Sequence, residues 1–195
     1  PLCRVYAGTQ AEVARVVDLC RLHGLPLAVA GGRTGLSGGA LGYGAVRLET
    51  ERLDRFRFAG NRVKAEAGVS VPELIRESER RGFSFPFQPA SACRVTDEYD
   101  YLGTHVGPVR LGGSLGANAS GLVGCKLGAA IEWVEELVVV PADGTMRVVR
   151  EDFSEYVGKE GRYGIIVEAT IRLAELPTHP ETHLVSGTGV ESFSR

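Results

Sequence analysis

Between Ala28 and Leu48 the chain runs AVAGGRTGLSGGALGYGAVRL, and seven of the fourteen residues from Gly31 to Gly44 are glycine. Apolar, β-prone stretches stand on either side, at Leu27 to Ala30 and Ala45 to Leu48. Glycine costs more backbone entropy to order than any other residue, so this concentration needs a physical reason. A wide turn that needs a positive φ is served by one glycine. Seven meet a different demand. Without Cβ atoms, successive N–H groups can turn toward one point, and a ligand can approach the main chain closely. A concave run of amides of this kind binds an anion, typically phosphate. The common nucleotide motifs do not fit. A Walker loop ends in Gly-Lys-Ser/Thr, and GGRTGLSGG has no lysine. A Rossmann fingerprint opens a helix, whereas Gly42-Tyr43-Gly44 leads into a strand.

Composition narrows the classes. Glycine is 26 of 195 residues, well above the usual share of about 7%, and it clusters rather than repeating. The net charge of −2 gives no electrostatic footprint for nucleic acid or an anionic membrane. No apolar run approaches the roughly 18 residues of a membrane span, and no signal-peptide pattern is visible in the chain as it stands. Cys3, Cys20, Cys93 and Cys125 form no CxxC pair, so no metal site is indicated. Free thiols in a cytoplasmic protein are expected. Cys20 falls on a helix stripe and Cys125 is expected to be a small buried thiol. His179 and His183 have ligand-like spacing, but Pro180 between them interrupts any helix; they read as solvated linker residues.

The first unit reads as a short strand (Arg4 to Ala7), a helix opened by the capping box Thr9-Gln10-Ala11-Glu12, and two strands flanking the glycine loop. Val13, Val16, Val17 and Cys20 form the helix stripe, Gly24 supplies the C-cap, and Leu27 to Ala30, apolar throughout, is expected to be buried on both faces. A second unit follows. Gly60-Asn61 signals a hairpin between Arg55–Ala59 and Arg62–Ala67. Ser70-Val71-Pro72-Glu73 is a second capping box, and its helix ends near Gly82. A second glycine cluster runs from Leu111 to Gly128, and Pro141-Ala142-Asp143-Gly144 is a turn between two strands. Gly164 to Leu173 is the final strand. The fold class expected is α+β, with two α+β subdomains: a small βαββ unit over 1–50, then a mainly antiparallel sheet with helices over 51–176, followed by a tail or the start of a missing cap domain over 177–195.

GGRTGLSGGAL, LGGSLGANASGL (Leu111 to Leu122) and GKEGRYGIIVEATIRL (Gly158 to Leu173) together resemble the FAD-binding domain of the FAD-linked oxidases, the vanillyl-alcohol oxidase or PCMH-type superfamily, in its glycolate and D-lactate dehydrogenase branch. The resemblance implies FAD held between the two subdomains. It places the pyrophosphate in the loop Ala30, Gly31, Gly32, Arg33, Thr34, Gly35, Leu36 and Ser37. It places the pyrophosphate and ribityl chain along Gly112, Gly113, Gly116, Asn118, Ser120 and Gly121. Pro89, Ala90 and Ser91 match a segment beside the flavin, and Gly164, Ile165 and Ile166 the strand whose backbone reads the adenine edge. Arg33 is a suitable donor to a diphosphate. Where relatives tether FAD through a histidine, this loop has Arg33-Thr34, so the FAD is expected to be non-covalent.

The implied activity is oxidation of a small 2-hydroxy acid by hydride transfer to flavin. The substrate-binding part of such enzymes lies beyond the final strand, so the small-molecule substrate is expected to meet a missing cap domain or a partner subunit, and the catalytic residues are left unassigned. The stretch from Cys93 to Pro108 is longer than the usual link and reads as a solvated loop or a flap near the flavin. Two alternatives stay open: an enolpyruvyl-UDP-sugar reductase-like flavoenzyme using NADPH, and a non-catalytic flavin-binding module completed by a partner chain.

Overall fold

The computed structural model describes residues 1–89, 108–121 and 123–177. Its first unit is β1 (Cys3–Tyr6), α1 (Gln10–Leu22), β2 (Leu27–Ala30) and β3 (Val46–Glu49). The Thr9 hydroxyl accepts from the Glu12 N–H at 3.2 Å, but the Glu12 carboxylate turns to the Gly8 N–H at 2.7 Å rather than to Thr9. The start of α1 is therefore capped one residue further out than the motif implies. Its end is closed by the Leu25 N–H on the Cys20 carbonyl (2.8 Å) and the Gly24 N–H on the Arg21 carbonyl (3.3 Å), with Gly24 at a φ of +62°. That is the Schellman arrangement, in which glycine avoids the left-handed penalty.

The three strands are parallel in the order β1-β3-β2. The chain leaves β2, makes the glycine loop and returns between β1 and β2. This corrects the expectation for Leu27–Ala30: β2 is an edge strand and is mostly half-buried, while every residue of β3 is buried, Arg47 and Glu49 included. Position in the sheet, not hydrophobicity, decided which strand is enclosed.

The second unit holds β4 (Phe56–Ala59), β5 (Arg62–Glu66), α2 (Val71–Glu79), β6 (Phe83–Ser84), α3 (Leu111–Gly116), α4 (Gly124–Leu127), β7 (Val134–Val140), β8 (Arg147–Val149), β9 (Ile165–Arg172) and β10 (Ala174–Glu175). Five strands form an antiparallel sheet in the order β4-β5-β9-β7-β8, and β6 pairs with β10. The Gly60-Asn61 hairpin forms as expected, with Ala59 opposite Arg62, and the turn at Pro141 closes through the Gly144 N–H at 3.0 Å. The second capping box does not form: Ser70 makes no side-chain cap bond. The backbone there is already engaged. The Val71 N–H reaches the Val109 carbonyl, and the Glu73 N–H reaches the Ser70 carbonyl.

The second glycine cluster opens with a helix, α3, rather than with a loop of the kind Gly31 to Gly44 makes. Three of its six residues are glycine, each costing about 1 kcal/mol relative to alanine in a helix. Leu111 and Leu115 are fully buried, each contributing about 1.5–3 kcal/mol. Tertiary burial outweighs propensity, and the helix forms where sequence alone argues against it.

The five-stranded sheet is covered on both faces. Ile165 and Val167 of β9, with Val138 and Val140 of β7, pack with Val13 and Val17 of α1 and Leu48 of β3. Ile166, Ala169 and Ile171, on the other face, pack with Leu111, Leu115, Phe85 and Phe87. The β7–β9 ladder shifts register between Val138 and Val139, which lets β9 present Val167 and Ala169 to opposite faces. α1 thus binds the small sheet to the large one.

A polar cluster lies across the large sheet. The Lys64 ammonium contacts Glu136 at 3.1 Å and Glu168 at 2.9 Å, and Arg150 reaches Glu136 at 2.8 Å. The hydrogen bond from Lys64 holds the Glu136 carboxyl below its ordinary range, with Arg150 adding to it. A carboxylate whose pKa is lower folded than unfolded adds stability above the unfolded pKa and loses it as pH falls through the folded one. Glu136→Gln is therefore expected to cost about 0.5–1 kcal/mol near pH 7 and little near pH 3. Urea unfolding of both proteins across that range checks it, and a pH-independent difference contradicts the assignment.

Candidate functional site

The two glycine-rich segments meet. A cleft of about 280 Å³ is walled on one side by Gly31, Gly32, Arg33, Thr34, Gly35 and Ser37, and on the other by Gly112, Gly113, Ser114 and Gly116. Pro89, Gly164 and Ile166 complete its lining. Topology brings them together. The first segment follows β2, and α3 packs against β5 and β9. The third motif is tied to α3 by its own backbone: the Gly158 N–H donates to the Leu115 carbonyl at 3.0 Å and the Glu160 N–H to the Gly116 carbonyl at 2.9 Å. Those bonds cap carbonyls that a six-residue helix leaves open.

The first wall is a row of donors. Among the described residues, the N–H groups of Gly32, Thr34, Gly35 and Ser37 donate to no protein acceptor. An added Cβ on Gly35 or Gly113 would meet nothing within 4 Å, so these Cα atoms face open space. Gly112 is bare for another reason. Its N–H is taken by the Ala67 carbonyl at 2.8 Å, and a Cβ there would lie 2.8 Å from the Ala67 Cβ. Its role is close packing of α3 on the end of β5.

Arg33 has a left-handed backbone, φ +60°, which a non-glycine residue adopts only when something holds it. Its Nη1 lies 3.1 Å from Glu49 Oε2, while Arg47 Nε donates to Glu49 Oε1 at 2.8 Å and Arg4 stands at 4.0 Å. Glu49 is fully buried. The register places Arg4 beside Arg47 and Tyr6 beside Glu49, so this charged cluster occupies the sheet face opposite the Leu48 side chain and α1. It anchors the glycine loop to the sheet.

The remaining residues singled out in the sequence lie outside the lining. Ala30 is buried beneath the loop, and Leu36 is 93% exposed. Ile165 points to the core under α1. Asn118, at φ +48°, accepts the Ile131 N–H on Oδ1 at 3.0 Å and so holds the exit of α3. Ser120 and Gly121 pair with Gln88, the Gln88 N–H donating to the Ser120 carbonyl at 3.2 Å. Cys125 is exposed on α4, correcting the expectation of a buried thiol, whereas Cys20 is buried as the stripe implies. Ala90 and Ser91 lie outside the described residues, as do His179, His183 and the stretch from Cys93 to residue 107.

Sequence reasoning passed over four lining residues with side-chain chemistry: Thr50, whose hydroxyl is taken by the Ala30 carbonyl, Arg110, Ser114 and Glu160. Arg110 stands immediately before LGGSLG and Glu160 inside GKEGRYG, so both are adjacent to motifs. Ser114 is in the motif but reads as a spacer. Its hydroxyl is buried without a partner, as is Nε of Arg110. Buried polar atoms are normally satisfied, and two orphans on residues that line the same cleft as the unpaired amides make, with them, a donor set suited to an oxyanion-bearing ligand. No group of three or more metal-ligating side chains occurs among the described residues, and no helix there is long and apolar enough to cross a membrane.

Comparison with known proteins agrees with this geometry. Residues 1–96 match a family described as an FAD binding domain. The chain is 29% identical to a D-2-hydroxyglutarate dehydrogenase of Xanthomonas citri pv. viticola, over 91% of this chain and 38% of that protein. It is 31% identical to a D-lactate dehydrogenase of Archaeoglobus fulgidus, over 83% of this chain and 36% of that one. The chain thus spans under two-fifths of the length of these relatives. Among solved structures, an alkyldihydroxyacetonephosphate synthase superposes with a TM-score of 0.72 at 20% identity, covering 90% of this chain and 32% of that one. That likeness confirms the α+β architecture with its small parallel and larger antiparallel sheets.

Proposed function

We propose, for a chain that carries the FAD-binding domain of the FAD-linked oxidases, that it holds FAD non-covalently in the cleft between its two glycine-rich segments and serves oxidation of a small 2-hydroxy acid. The observation that carries the reading is the meeting of Gly31–Ser37 with Gly112–Gly116 around unpaired main-chain donors. The donor set fits a diphosphate. The N–H groups of Gly32, Thr34, Gly35 and Ser37 would hold the phosphate oxygens, Gly35 and Gly113 would leave room for close approach, and the backbone of Gly164 and the start of β9 would face the adenine edge. The Arg33–Glu49 pair fixes the loop that presents these amides. FAD, when bound, supplies a flavin ring that accepts a hydride equivalent from a carbon bearing a hydroxyl.

The reading takes residues 1–50 and 51–176 as the two subdomains, and places the hydroxy-acid site on a further segment or a partner subunit. The hydroxy-acid class is supported by the printed names of the relatives, D-2-hydroxyglutarate and D-lactate dehydrogenases. The loop bears Arg33-Thr34 and no histidine, which supports non-covalent binding. The free thiols of Cys3, Cys20 and Cys125 support a cytoplasmic setting.

Purified protein is expected to carry a visible flavin spectrum and to release all of it, as FAD, into the supernatant on acid precipitation. Flavin retained in the pellet contradicts non-covalent binding, and a protein that stays colourless with added FAD contradicts the reading as a whole. With the further segment or partner subunit present, anaerobic bleaching by D-lactate or D-2-hydroxyglutarate supports the hydroxy-acid class. Bleaching by NADPH and by neither acid overturns it in favour of a reductase of the enolpyruvyl-UDP-sugar type.

A further inference from the structure

Arg33 is the cation that the sequence places at the diphosphate, yet its guanidinium is committed to a buried carboxylate, Nη1 donating to Glu49 at 3.1 Å. A charge matched in this way contributes little net field to a ligand. The opposite wall of the cleft has a cation in a different condition. Arg110 is the N-cap residue of α3. Its stem lies against Gly31, with its Cβ 3.1 Å from where a Gly31 Cβ would be. Its Nη1 donates to the Gly68 carbonyl at 2.8 Å, a neutral acceptor. Its Nε is buried with no acceptor, and it forms no ion pair with the described residues.

Ser114 stands four residues further along and lines the same cleft. Its residue is 4% exposed and its hydroxyl has no partner, although a helical serine has the carbonyl four residues back within reach. The main chain of α3 leaves little else to offer the cleft. The Leu111 and Gly112 N–H groups are already taken by the Val69 and Ala67 carbonyls. The donors remaining on this wall are therefore the Gly113 N–H, the guanidinium and the hydroxyl.

We infer that Arg110 and Ser114 are the side-chain ligands of the cofactor's diphosphate: Arg110 supplies the unmatched positive charge and Ser114 donates to one phosphate oxygen. The inference rests on the FAD reading above and assigns, within it, the residues that recognise the charge. An ionised acceptor roughly doubles the strength of a hydrogen bond, and a guanidinium can give two at once. The nearby Glu160 carboxylate, beside Gly39, makes an uncompensated cation in this cleft more necessary.

The test uses Ser114→Ala, Arg110→Met and Arg110→Lys, each titrated by flavin fluorescence with FAD and with riboflavin, which has no phosphate, alongside thermal unfolding without ligand. Ser114→Ala removes an orphaned hydroxyl, so its ligand-free melting temperature is expected to stay level or rise while FAD affinity falls about 5- to 20-fold. Arg110→Met, which keeps an unbranched stem over Gly31, is expected to weaken FAD about 10- to 100-fold and to flatten the dependence of affinity on salt. Arg110→Lys recovers part of both. Riboflavin affinity is expected to be unchanged throughout. Variants that bind FAD like the parent, or that lose FAD and riboflavin in equal proportion, overturn the inference and leave the cofactor reading standing. A parent protein that binds no FAD overturns the cofactor reading itself.

Discussion

Glu49→Ala is expected to destabilise the protein by about 3–5 kcal/mol, the cost of removing one member of a buried ion cluster and stranding the others. The carboxylate has no exposed surface, and it receives Arg47 at 2.8 Å and Arg33 at 3.1 Å. Arg47 is itself buried, and one of its terminal nitrogens, Nη2, already has no partner, so little remains to compensate it once Glu49 is gone. Arg4 is half-exposed at 4.0 Å and adds little, because solvent screens it. Chemical denaturation measures the loss. A companion variant sharpens it: replacing Arg47 and Glu49 together by leucine removes the most deeply buried of the stranded charges, leaves the more exposed Arg33, and is expected to recover part of the stability. A loss below about 1 kcal/mol for Glu49→Ala contradicts the anchoring role.

Gly121→Ala is expected to cost about 2–5 kcal/mol, through two effects that add. Gly121 has a φ of +78°, where a Cβ is disfavoured by about 1–2 kcal/mol. The same Cβ would stand 1.8 Å from the Gln88 carbonyl oxygen, and overpacking against backbone costs about 1–3 kcal/mol more. The contact cannot be relieved by a side-chain rotation, since the Gln88–Gly121 bridge is main chain on both sides. Pro89, which lines the cleft and whose nitrogen would stand 2.7 Å from the same Cβ, must move with it. Gly35→Ala is the control. Its added Cβ meets no protein atom, so its stability is expected to stay within about 0.5 kcal/mol while its bare Cα no longer faces the ligand. A Gly121→Ala protein as stable as the parent contradicts the close approach.

The parts legible in sequence are those set by neighbours along the chain. Thr9 and Glu12 marked the start of α1, Gly24 its end, and Gly60-Asn61 the hairpin, because caps and tight turns depend on a few consecutive dihedrals. The glycine loop was legible as a donor surface because seven glycines exceed what any turn requires. The partner of Arg33 was not. Glu49 lies sixteen positions away and reaches it only because the chain inserts β3 between β1 and β2, an order that hydrophobic pattern does not encode. The same insertion explains why the most apolar strand sits at the edge and a strand bearing Arg47 and Glu49 in the middle. α3 was hidden by its glycines, whose low helix propensity is overcome only when Leu111 and Leu115 find the core. Arg110 and Ser114 were overlooked for a related reason. An arginine before a motif and a serine inside one carry no local mark of burial, and it is burial without a partner that singles them out.

The central claim is that two glycine-rich segments, some eighty residues apart in sequence, close on one ligand. Amide hydrogen exchange with and without FAD tests it most directly. The account requires the amides of Gly32, Thr34, Gly35 and Ser37 to slow together with those of Gly113 and Ser114 at the same FAD concentration, while α2 and the Gly60-Asn61 hairpin keep their rates. Protection of one segment alone, or slowing that bypasses both, contradicts it.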